Sequence, residues 1–172
     1  DEAWAVYAEI KNLFESSEYN LKIPCRVVEN ATDLQFLPNV EQNREEVKNK
    51  FGISQDEHIF LFTGRINVMK NILFIVDALK IVKDKGIKFK MLFVGSGQDE
   101  NKLKAYVEQN GLTNNVVMVG RVEDRSLLAK IYSASELFLF PSLYDANSLV
   151  QIEAASQKTP AIFLEGARTA GN

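Results

Sequence analysis

A doubly wound, parallel α/β sheet is what this sequence predicts, on three observations. From residue 58 onward, short apolar runs alternate with stretches of helical period. The runs are apolar on both faces, as strands are when helices cover a parallel sheet on both sides. Each run then ends in glycine or polar residues. Together these describe a Rossmann-like layer, in which ligands bind beyond the carboxyl ends of the strands.

The elements follow in order. Residues 3–15 read as an amphipathic helix, with apolar side chains at 3, 6, 7, 10, 13 and 14. Residues 26–29 are a short strand candidate, followed by a turn at Asn30-Ala31-Thr32-Asp33. A charged helix over 43–51 stops at Gly52. Strands are predicted over 58–63, 89–94, 116–119, 136–140 and 160–164, with helices over 71–83, 99–109, 125–133 and 148–157 between them. All 172 residues are read as one domain, with 1–44 as a preceding helix and strand segment.

Composition narrows the function classes. A chain of 172 residues, 46% hydrophobic and 25% charged, is long enough to bury a core. The formal net charge is −3 with both signs interspersed, which disfavours a nucleic-acid partner. No apolar run approaches the roughly 18–20 residues of a bilayer span. The start, Asp1-Glu2-Ala3-Trp4, is not a signal peptide, and without an initiator Met the chain reads as part of something longer. Cys25 is alone, which excludes an internal disulfide and fits a reducing compartment. With one Cys and one His58 there is no transition-metal constellation. No nucleophile–base pair can be assembled either, because Ser96, Ser142 and Ser148 lack a His partner.

Three loops carry the chemistry. Gly64-Arg65-Ile66-Asn67-Val68-Met69-Lys70-Asn71 joins a strand to a helix. Lys70 stands near that helix's N-terminus, where the macrodipole disfavours a cation. A diphosphate between Arg65 and Lys70 would reverse the penalty; two solvated surface cations are the plain alternative. Gly95-Ser96-Gly97 begins like a dinucleotide fingerprint, but Glu100 stands where the third glycine belongs, so a tight turn is the better reading. Asp145 lies in a loop and Glu153 eight positions on, within an otherwise apolar helix. A carboxylate there needs hydrogen-bond donors, from a polyhydroxylated ligand or from an Arg. Asn147 and Ser148 open this helix, whose free amides either bind phosphate or are capped by those side chains.

Taken together, these residues resemble the donor-binding half of retaining, GT-B-fold glycosyltransferases of the large family 4. Val28-Glu29-Asn30-Ala31-Thr32-Asp33 is similar to that family's Ile-Pro-Asn-Gly-Val-Asp segment. Gly64-Arg65 through Lys70-Asn71 is similar to its Gly-Arg-Leu-x-x-x-Lys-Asn element, and the stretches at 94–97 and 119–122 to its glycine turns. Asp145 and Glu153 occupy the two acidic places of its Glu-x7-Glu motif. There are three departures: Asp for the first Glu, Asn147-Ser148 for the usual Phe-Gly, and Met69 for a commonly acidic residue.

The resemblance implies a set of roles. Gly64, Arg65 and Lys70 would hold the diphosphate of a nucleotide sugar, with the amides at Ser148 and Leu149. Glu153 would take ribose hydroxyls, Asp145 and Asn147 would face the donor sugar, and the backbone at Gly97, Arg121 and Val122 would approach the nucleoside. Arg65, Lys70 and Asp145 are the catalytic candidates. No metal or cofactor would be needed, because two cations can stabilise the leaving diphosphate. The expected function is transfer of a hexose from an NDP-sugar, UDP- or GDP-linked, to a glycan or lipid acceptor in bacterial polysaccharide synthesis, a reaction of the EC 2.4 class. A second, N-terminal domain would bind the acceptor, so these residues alone would be inactive. The expected location is the cytoplasm, peripheral at the inner face of the membrane. A nucleotide-sugar epimerase of the same fold and a non-catalytic Rossmann-like binding module are the alternatives.

Overall fold

The computed structural model describes residues 1–143, 145 and 148–167. The fold comprises two compact units, Asp1–Thr32 and Asp33–Asn172.

In the first unit, strand β1 (Ala3–Ala5) pairs in parallel with β2 (Cys25–Val27), and helix α1 (Ala8–Glu15) lies between them in the chain. The helix expected over 3–15 is therefore shorter. Its first three residues pair with Cys25–Val27 instead, and Ala5 is buried by doing so. A pairing partner some twenty residues away outweighs the local helical period, as tertiary context commonly does.

The second unit carries the predicted layer. Its elements are α2 (Val40–Phe51), β3 (His58–Thr63), α3 (Ile72–Asp84), β4 (Phe89–Val94), α4 (Glu100–Gln109), β5 (Val116–Gly120), α5 (Arg125–Ala134), β6 (Leu137–Phe140), α6 (Leu149–Ser156) and β7 (Ala161–Phe163). The strands form one parallel sheet in the order β5-β4-β3-β6-β7. β3 and β4 are central and almost wholly buried, with Ile59, Leu61, Phe62, Phe89, Met91, Leu92 and Phe93 at the heart of the core. Phe62 stacks toward Phe93 and Phe140 at centroid distances of 5.7 and 6.5 Å, joining three strands in one aromatic layer.

The strand order positions the site. From β3 the chain winds outward through β4 to β5, then crosses back to β6 on the other side of β3. The direction of winding therefore reverses between β3 and β6. The loops that follow these two strands diverge there and leave a crevice at the carboxyl edge.

Candidate nucleotide-sugar site

A hollow of about 500 Å³ opens at that crevice. Its walls come from the two diverging loops: Thr63, Gly64, Arg65, Asn67, Met69 and Lys70 after β3, and Phe140, Ser142, Asp145, Ser148 and Val150 around and after β6. A smaller hollow of about 220 Å³ lies between α3 and the β6–β7 side of the sheet, walled by residues such as Phe74, Leu79, Leu139 and Phe163. Its lining is wholly apolar, so nothing there can hold a charged group. The polar hollow is the candidate site.

The loop after β3 is shaped by its own side chains. Asn67 Oδ1 accepts from the Lys70 amide at 3.2 Å and caps a short 3-10 turn, Val68–Lys70. Asn71 then takes a left-handed conformation, φ 56°, and its Nδ2 donates to the Pro141 carbonyl at 3.4 Å, tying this loop to the one after β6. A second ion-paired link joins the same loops, because Lys70 Nζ donates to the Asp145 carboxylate. Both side chains are about three-quarters buried, at 24% and 23% exposed. Lys70 is thus neither bathed in solvent nor waiting unpaired for an anion. Arg65 is exposed, and no carboxylate pairs with it among the described residues.

Ser148 leads into α6 without capping it through its side chain, and Ser148 and Val150 line the hollow. The positive end of the α6 dipole therefore faces the same space as Arg65 and Lys70. Gly64, Arg65, Lys70, Asp145 and Ser148 are brought together as expected from the sequence.

The other expected residues stand elsewhere. Gly97 is not in the wall of the hollow. It lies behind the Arg65 loop, where a Cβ would come within 2.3 Å of the Ile66 carbonyl oxygen, and a Cβ on Gly95 within 1.9 Å of that of Gly64. Ile66 and Asp99 amides donate across this contact to Ser96 and Ile66 carbonyls at 3.0 and 3.2 Å. The Gly95-Ser96-Gly97 turn is a buttress for the Arg65 loop, held by close backbone approach. Asp99 does not cap α4 with its side chain; it accepts from the Val68 amide at 2.9 Å, another brace on the same loop. Arg121 is exposed and pairs with Glu123 at 3.4 Å, Val122 packs against the core, and Leu149 is half exposed outside the hollow. Asn147 lies outside the described residues.

Glu153 is buried, as its apolar neighbours required, and both of its oxygens have protein partners. Oε1 accepts from Arg125 Nη2 at 2.9 Å and Oε2 from the Tyr132 hydroxyl at 3.0 Å. Glu153 is not among the residues that wall the hollow, although Val150 in the first turn of the same helix is. Arg125 is held in turn by Asp33, whose carboxylate accepts from Arg125 Nε at 3.0 Å. That bond keeps the Asp33 carboxyl below its usual range and, with Glu153, raises Arg125 further, while burial opposes the latter shift. Tyr132, Arg125 and Asp33 were not legible as site residues, because Tyr132 and Arg125 fit the helix pattern and Asp33 fits a turn.

His58 contributes nothing to this edge. It opens β3, with Nδ1 3.8 Å from Glu136 Oε1. The hollow lies at the strand's other end, roughly 17 Å away at the rise of a parallel strand. Among the described residues, no group of three His, Cys, Asp or Glu side chains gathers to hold a metal, and no helix is long and apolar enough to cross a membrane.

A doubly wound parallel sheet with a crevice at its switch point defines an α/β protein of the Rossmann-like class. Residues 43–167 match the family of glycosyl transferases group 1, and the chain belongs to that family. An uncharacterized glycosyltransferase of Methanocaldococcus jannaschii is 29% identical over 154 residues, 90% of this chain and 37% of that protein. The UDP-Gal:alpha-D-GlcNAc-diphosphoundecaprenol alpha-1,3-galactosyltransferase of Escherichia coli is 30% identical over 141 residues, 79% of this chain and 35% of its own. Among solved structures, a glycosyltransferase from Rickettsia africae aligns with a TM-score of 0.76 at 21% identity, over 100% of this chain and 47% of that one. Anabaena HepE, solved in complex with UDP and glucose, aligns with a TM-score of 0.73 at 17% identity, over 98% of this chain and 45% of its own. These structural likenesses show the GT-B type of Rossmann-like fold. The chain spans little more than a third of the curated relatives named here.

Proposed function

We propose that this chain is the C-terminal, donor-binding domain of a retaining family 4 hexosyltransferase that uses a UDP- or GDP-sugar. The observation that carries this reading is the convergence of Arg65, Lys70 and the α6 N-terminus on one hollow at the switch point of the sheet. Three positive groups around one space suit a diphosphate better than any neutral ligand. As the bond to the anomeric carbon breaks, negative charge grows on the leaving diphosphate. Arg65 and Lys70 stabilise it there, which is how the reaction would proceed without a metal.

Lys70 changes partner in this scheme. Its ammonium holds Asp145 in the structure, and an entering phosphate competes for it. A released Asp145 carboxylate is then free to accept from hydroxyls of the donor sugar, with Asn147 beside it in sequence. Glu153, on the helix whose first turn lines the hollow, takes the ribose hydroxyls in this scheme. A glycan or lipid acceptor comes from a second, N-terminal domain, in line with the share of its relatives that the chain spans. The protein works in bacterial polysaccharide synthesis, in the cytoplasm at the inner face of the membrane.

A thermal-shift panel of UDP, GDP and ADP, each with and without its sugar, tests the reading. One nucleotide series should raise the melting midpoint in a concentration-dependent way, and Arg65→Ala should move that response to higher nucleotide concentration. No response to any nucleotide diphosphate would refute it. The anomeric configuration of the product, read by NMR from the full-length enzyme, tests retention.

A further inference from the structure

We infer that Tyr132 is a positioning residue of the hollow, fixing the distance between the strand end that carries Arg65 and the helix that carries Glu153. The inference rests on the donor-binding reading above. Tyr132 is fully buried on α5, and it does not line the hollow. Its hydroxyl nevertheless reaches both walls. It is hydrogen-bonded to Thr63 Oγ1 at the end of β3, it donates to Glu153 Oε2 at 3.0 Å, and the Val150 carbonyl in the first turn of α6 is 3.3 Å away. Thr63 and Val150 are both wall residues, and Thr63 is directly followed by Gly64-Arg65.

A phenol has one proton and two acceptor positions. An ionised Glu153 can only accept, so the Tyr132 proton goes to it, and the Thr63 hydroxyl must then donate to Tyr132. The direction of the chain is thereby fixed from Thr63 through Tyr132 to Glu153. The ring itself is clamped edge-on to Phe138 at a centroid distance of 5.8 Å. The hydroxyl therefore sits on a rigid support and acts as a spacer between β3 and α6. Burial and the adjacent carboxylate keep the phenol protonated, as the role requires. Glu153 is in this way held by Tyr132 on one oxygen while the phosphate-facing loop is held through Thr63.

The test uses the full-length protein and the binding of UDP or GDP, whichever the wild type takes, by calorimetry well below the melting midpoint. Tyr132→Phe keeps the ring and removes the spacer, so affinity should fall about tenfold. Thr63→Val removes the same contact from the other wall and should cost a similar factor. Phe138→Leu loosens the same core without touching the hydroxyl; it should lower the melting midpoint and leave affinity unchanged. Wild-type affinity in either Tyr132→Phe or Thr63→Val overturns the inference, as does an equal loss in Phe138→Leu. A wild type that binds no nucleotide diphosphate instead overturns the donor-binding reading itself.

Discussion

Lys70 and Asp145 lie 75 positions apart in the chain and form an ion pair across the mouth of the hollow. The pair closes the loop after β3 onto the loop after β6, and it places a carboxylate beside the ammonium that the diphosphate is proposed to need. On the proposed function, diphosphate binding would be an exchange of anions at Lys70 rather than the filling of an unpaired cation.

An exchange of this kind has a measurable sign. Asp145→Asn removes the competitor and should tighten binding of the bare nucleotide diphosphate about three- to fivefold, the size expected for a partly exposed ion pair. Isothermal titration at low salt reads this directly. Weaker binding in Asp145→Asn would mean that the carboxylate supports the diphosphate rather than competing with it.

Arg65→Ala and Lys70→Ala should each weaken nucleotide diphosphate binding by about 1–3 kcal/mol, with little change in melting midpoint. Both side chains are at the surface of the hollow, so the folded core does not depend on them. Titration at two salt concentrations should also show a shallower salt dependence in each variant.

The Gly95–Gly64 approach makes a stability prediction. Gly95→Ala would place a Cβ within 1.9 Å of a backbone oxygen at a φ of +131°, where neither partner can yield cheaply. A loss of about 3 kcal/mol or more is expected in chemical denaturation, with the Arg65 loop displaced as well. Gly97→Ala should behave similarly.

Glu153→Ala removes the carboxylate acceptor of the buried Tyr132 hydroxyl and one of the two carboxylates that hold Arg125, and should cost about 1–3 kcal/mol of stability. Glu153→Gln retains an acceptor oxygen and should cost less. Denaturant midpoints of the two variants separate this structural role from any effect on ligand affinity.

Two limbs of the stability–pH profile have definite signs. Tyr132 titrates above its ordinary value of 10.0 in the folded state, from burial first and then the Glu153 charge. Its contribution is therefore complete below pH 10 and lost as pH rises further, because only the unfolded chain ionises readily. Tyr132→Phe should flatten the alkaline limb. Asp33 is shifted the other way by the Arg125 hydrogen bond, so its contribution is present above the ordinary value of 3.8 and lost as pH falls through the lower folded value. Asp33→Asn should flatten the acid limb. Urea denaturation across pH 2–11 checks both.

The alternation of strands and helices, and the meeting of Arg65, Lys70, Asp145 and Ser148, were legible in the sequence for one reason. Strands apolar on both faces must lie in a covered parallel sheet, and such a sheet gathers the loops after its strands along one edge. Which of those loops share a space depends on strand order, which distant pairing decides. β6 packs beside β3 and not beside β5, so the Arg65 loop meets the Asp145 loop, while Arg121 follows the edge strand β5 and does not line the hollow. The same holds for β1, which local period assigns to a helix and pairing with Cys25–Val27 assigns to a strand. Glu153 shows the division most clearly: its apolar neighbours required donors for the carboxylate, but that Tyr132 and Arg125 supply them follows only from how α5 packs on α6. Local chemistry states what each group needs, and tertiary packing selects which distant group provides it.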